Sequence, residues 1–145
     1  MTLLAYGRPF WPLFLHVFGA MALFGAVTTA AILAWAAWRR PLPVLARSTF
    51  WALLLAGLPA WVIMRADAQW IYSQEGFSGH DEPNWLGIGF AVADAGLVVL
   101  LVSTGLAYWW SRSGNAVVGR VVAGLTSLYL AALVVAWLAM SAKWS

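Results

Sequence analysis

Five side chains in an otherwise apolar sequence could do chemistry: His16, Arg65, Gln69, Asp94 and Tyr129. An ionisable group inside a membrane span costs roughly 2.5–3.5 kcal/mol on insertion scales, so each one placed there needs a partner or a purpose. Asp94 follows Trp85 by nine residues. At 1.5 Å per residue that is about 13 Å along a helix, close to mid-membrane. Its helical neighbours Gly87, Ala91 and Ala95 offer a small-residue face that a second helix can approach closely. His16 lies about 9 Å in from Phe10 on the same scale, and Gly19 and Ala20 share its face. Arg65 and Gln69 share a face of one helix, and Tyr129 stands about one turn from Thr126. Depth allows all five to meet in one half of a bundle. Three outcomes stay open. The first is a structural ion pair between Arg65 and Asp94, with His16 bonded to a backbone carbonyl. The second is a site for a small polar molecule, a quinone headgroup, a proton path or a metal. The third is a contact with another membrane protein.

His16 and His80 are the only histidines and therefore the candidate nitrogen ligands for a metal. Glu75, His80, Asp81 and Glu82 lie in the polar stretch SQEGFSGHDEPN, whose nitrogen and oxygen atoms suit zinc or copper(II) in principle. Adjacent residues seldom converge on one ion, and HExxH and HxxxH do not occur, so a solvated acidic loop is the simpler reading. The chain has no cysteine, which excludes disulfides, thiolate metal sites and covalently attached haem. Nucleophile elbows, glycine-rich phosphate loops and paired catalytic carboxylates are also missing, so no catalytic residue is assigned. A bis-histidine haem needs two axial ligands, and only His16 falls in a span. A haem shared with another subunit and a bound quinone stay open as cofactors.

The elements that would position these residues are plain from composition. Of 145 residues, 63% are hydrophobic and 9% charged, with a mean hydropathy of +0.83. Soluble domains carry about 25% charge, so the reading is a polytopic membrane protein of one domain, surrounded by lipid. Four apolar runs cover about 10–38, 48–72, 85–110 and 116–140, with a polar outer loop over 73–84. Arg39, Arg40, Pro41 and Pro43 stop the first run. The second has only 15 apolar residues, Phe50 to Met64, before Arg65. Either Arg47 and Arg65 snorkel from its two ends, or the helix continues to Trp70 and Tyr72 and carries Arg65 into the membrane. The second option is preferred because it brings the aromatics to headgroup level. Ten of the eleven tryptophans fall near expected interfaces, and the exception, Trp61, stands beside a kink at Pro59.

Loop charge orients the chain. Arg39, Arg40, Arg47, Arg112 and Arg120 gather on one side, against Arg8, Arg65 and Lys143 on the other. Positive charge favours the cytoplasm, so both termini are expected outside. The formal charge of +3 comes from these span-end residues, which argues for membrane orientation and against nucleic acid. The expected fold class is all-α: four transmembrane helices in an up-down bundle. Arginine outnumbers lysine seven to one, and alanine is abundant, which suggests a GC-rich bacterial genome and the inner membrane.

The stretch Leu15-His16-Val17-Phe18-Gly19-Ala20, followed by Gly25, resembles the opening helix of predicted bacterial integral membrane proteins of the copper-resistance D type. The likeness covers about a dozen residues, and Leu23-Phe24-Gly25 replaces the family's tryptophan-glycine pair. It implies a small inner-membrane protein whose first-helix histidine matters. The leading expectation is a non-catalytic accessory or binding subunit, with a membrane-protein partner or a second copy of itself. One alternative is a redox-linked protein holding quinone, haem or metal through His16. Another is an oligomeric channel or transporter using Asp94.

Overall fold

The computed structural model describes residues 10–74 and 84–142, and among them only the turns at 40–42 and 114–115 are not helical. The four helices are α1 (Phe10–Arg39), α2 (Pro43–Gln74), α3 (Asn84–Ser113) and α4 (Ala116–Ala142). Each exceeds the roughly 20 residues that cross a hydrocarbon core. The protein is an all-α four-helix bundle and an integral membrane protein. Neighbouring helices run antiparallel, with α1 packed against α2 and α4, and α3 packed against α4 and the first part of α2.

Local sequence explains the two described turns. Pro43 opens α2, where a missing N–H costs nothing because first-turn donors have no helical partner. This starts the helix several residues before the apolar run does. Between α3 and α4, Gly114 adopts a left-handed φ of 66° and donates its N–H to the Trp110 carbonyl at 2.8 Å. Asn115 then caps α4 by accepting the Val117 N–H at 2.9 Å.

The second helix continues past Arg65 to Gln74, with a widened π-helical turn over Leu53–Gly57. Pro59 has no N–H, and its ring crowds the carbonyl one turn back. The bond from the Leu58 N–H to the Leu53 carbonyl spans five residues instead of four and relieves that crowding. Beyond this turn, α2 leans along α1 and touches α3 only lightly.

Close packing rests on small residues. Leu23, Val27, Ala30, Leu53, Val122 and Ala123 are fully buried at the centre of the bundle. Gly19 on α1 meets α2 backbone to backbone. A Cβ added there would lie 2.7 Å from the Met64 nitrogen and 3.1 Å from the Ala60 carbonyl oxygen. Backbone cannot swing aside as a flexible side chain can. Gly19→Ala should therefore lower stability by about 1–3 kcal/mol, the usual cost of overpacking. Gly25→Ala, with nothing within 4 Å of its added Cβ, should be neutral or stabilising because alanine is the better helix former. Thermal melts of both variants in one detergent check the contrast; equal melting temperatures would mean the helices do not touch at Gly19.

Candidate functional site

Three of the five singled-out residues meet in the structure. Arg65 on α2 donates its Nε–H to Asp94 Oδ1 on α3 at 2.9 Å and an Nη1–H to Gln69 Oε1 at 3.1 Å. The Arg65 guanidinium also sits 4.7 Å from the centre of the Phe90 ring, a cation–π contact that gains strength where water is excluded. Tyr72 meets the edge of Phe90, with ring centres 5.6 Å apart. One turn nearer the kink, the Trp61 indole N–H donates to the Ala93 carbonyl at 2.8 Å. Trp61 and Arg65, four residues apart, thus bridge the gap where α2 diverges from α3. The sequence placed Trp61 at a kink but gave no sign of its carbonyl partner.

This cluster opens sideways. The side chains of Arg65 and Asp94 are 24% and 59% exposed, and Gln69 is exposed beside them. Asp94 lies between Trp85 and the Trp109–Trp110 pair on α3, at membrane depth. Gly87, Ala91 and Ala95 are exposed on the same helix, and a Cβ on Gly87 would meet nothing within 4 Å. An ion pair and a small-residue stripe therefore face outward together at a depth where lipid offers no hydrogen bonds. Asp67, by contrast, is buried at 7% exposure on another face of α2.

His16 and Tyr129 stand apart from the trio. His16 donates Nδ1–H to the Met64 carbonyl at 2.9 Å, three residues beyond the Gly19 contact in the direction of the α1 N-terminus. A carbonyl can only accept, so the neutral ring carries its proton on Nδ1 and leaves a lone pair on Nε2. Metal-binding histidines are held by the same kind of bond. Tyr129 is 3% exposed, lies against Gly96, and its hydroxyl has no partner among the described residues. The expected meeting of all five residues thus resolves into an Arg65–Gln69–Asp94 cluster with two separate sites. Depth along an axis carries no information about rotation around it. His80 and its acidic neighbours Glu75, Asp81 and Glu82 lie outside the described residues. Among the described residues, no three His, Asp or Glu side chains gather as a metal site would require.

No known family, curated protein or solved structure matches this chain.

Two stability measurements probe the site. In nanodiscs, Arg65→Leu and Asp94→Leu should each lose about 2–3 kcal/mol by leaving one charge without its partner at membrane depth. The double variant should recover most of that loss, and additive losses would dissolve the pair. Tyr129→Phe should melt at the same or a higher temperature, because removing an unpaired buried hydroxyl relieves its desolvation. A clear fall on losing the hydroxyl would reveal an unseen partner.

Proposed function

We propose that the protein is a non-catalytic accessory or binding subunit of a bacterial inner-membrane assembly. The carrying observation is the outward-facing Arg65–Asp94 pair, with Asp94 59% exposed beside the small residues of α3. A lone bundle would hold that carboxylate against hydrocarbon. A transmembrane helix laid along Gly87, Ala91 and Ala95 could approach closely and cover it, and small residues with polar groups are what such interfaces use. The partner proposed is another membrane protein; a second copy of the chain is the alternative occupant of that face.

A second reading has one specific observation in its favour. The bond from His16 to the Met64 carbonyl fixes the tautomer that leaves Nε2 able to ligate or accept a proton. A redox-linked protein would use that nitrogen toward haem, quinone or metal, with any further ligand supplied by a partner. The resemblance of the first helix to the copper-resistance D type points to the same residue.

Native mass spectrometry of the protein, extracted gently from its own membrane, separates these readings. An accessory subunit gives mass beyond whole multiples of 15.8 kDa. Asp94→Asn and Ala91→Trp should each lower partner recovery several-fold while the isolated variants still fold. Visible absorbance or extractable quinone that vanishes in His16→Ala would favour the redox reading. A bare homo-oligomer would overturn the hetero-subunit reading and turn attention to Asp94 as the carboxylate of an oligomeric channel.

A further inference from the structure

The end of the bundle opposite the Arg65–Asp94 pair carries all the remaining described basic residues: Arg39, Arg40, Arg47, Arg112 and Arg120. Among the described residues no acidic side chain offsets them there. Asp67 and Asp94 belong to the other half, and the remaining three of the five acidic residues fall in the chain between Gln74 and Asn84. Between the helix ends lies a cavity of about 270 Å³, bordered by Trp38, Pro43, Trp110, Ser111, Ala116 and Arg120.

Arg120 and the aromatic side chains around it suit this cavity to an anionic headgroup. The Arg120 guanidinium lies 4.9 Å from the centre of the Trp38 ring, held over an aromatic face at the rim with no carboxylate near it among the described residues. Two helices, α2 and α4, begin at the cavity, and neither has an acidic side chain in its first turn. The C-terminal ends of α1 and α3 border the same cavity and offset the dipoles of these two N-termini, so the cavity's net positive charge comes from Arg120. Trp110 is buried at the cavity's inner border, and a Cβ on Gly119 would lie 2.6 Å from its ring. The absence of a side chain at Gly119 gives the indole room to pack against α4. Trp35 and Trp38, stacked with ring centres 4.9 Å apart and both exposed, mark the level of the lipid headgroups beside it.

We propose that this cavity binds the phosphate of an anionic phospholipid headgroup, with Arg120 as its principal cation. Basic pockets between transmembrane helices at the cytoplasmic side take such headgroups. The acyl chains would leave along the exposed apolar flanks of α1 and α4, where Ile32, Trp35, Val117 and Val121 face outward.

The test is native mass spectrometry of delipidated full-length protein offered phosphatidylglycerol, phosphatidylcholine with the same acyl chains, or inorganic phosphate. Wild type should retain one phosphatidylglycerol and bind phosphatidylcholine at least about fivefold more weakly, the factor that one basic side chain contributes at a lipid surface. Arg120→Gln should cut phosphatidylglycerol retention by a similar factor. Ser111→Trp should do the same by filling the cavity with every charge intact, and it decides the matter if Arg120→Gln does not fold. Arg47→Gln removes equal charge from the same end without touching the cavity and should bind as wild type does. Equal retention of both lipids, or equal loss in the Arg47 and Arg120 variants, would overturn the site in favour of diffuse surface charge. Uptake of inorganic phosphate with the same Arg120 dependence, and no retained phosphatidylglycerol, would overturn the lipid as the source of the phosphate.

Discussion

Pro59 cannot donate to the helical ladder, and α2 answers by running one turn, Leu53–Gly57, with a five-residue hydrogen bond. The extra residue rotates everything beyond it by about one helical step, roughly 100°. On that rotated register, Ala60 and Met64 face Gly19 of α1, and the Met64 carbonyl accepts from His16. On the adjoining side, Trp61 reaches the Ala93 carbonyl and Arg65 reaches Asp94. Without the turn, the second half of α2 would present these residues to other neighbours. The bundle's polar contacts on this half thus follow from one proline and the room made for it.

Five threonine hydroxyls are handled within their own helices. Thr28, Thr29, Thr49, Thr104 and Thr126 each donate to the carbonyl four residues back. A bilayer offers no water to do this, so a hydroxyl bonded inside its helix can be buried or can face lipid at little cost. Charged side chains have no such local remedy. Arg65 and Asp94 solve the problem across two helices and stay partly exposed.

The two ends of the bundle differ in chemistry as well as in charge. One end holds an ion pair, an amide and aromatic edges, all opening sideways from α2 and α3. The other carries five arginines, with Arg120, Trp38 and Trp110 at a cavity between the helix ends. Neutral pairing at membrane depth and uncompensated positive charge at the surface are what the bilayer's dielectric step demands. Charge deep in hydrocarbon is costly, whereas charge at the headgroups is attracted to lipid phosphate.

Much of this was legible in the residues themselves. Four long apolar runs specify four helices because every backbone polar group in a bilayer must bond within its own segment. Rarity flagged Arg65 and Asp94, since so few charges fall in the runs, and their similar depth made a pairing conceivable. Spacing and depth, however, say nothing about rotation. The π-turn, the separation of His16 and Tyr129 from the charged cluster, the role of Trp61 and the burial of Trp110 beneath Gly119 all depend on which faces meet. The sequence by itself determined the membrane class, the number of helices and the uneven charge of the two ends, because these are sums over residues. Only the tertiary structure decided which polar groups touch, because a helix turns by about 100° at each residue and a single extra residue at Pro59 reassigns every face beyond it.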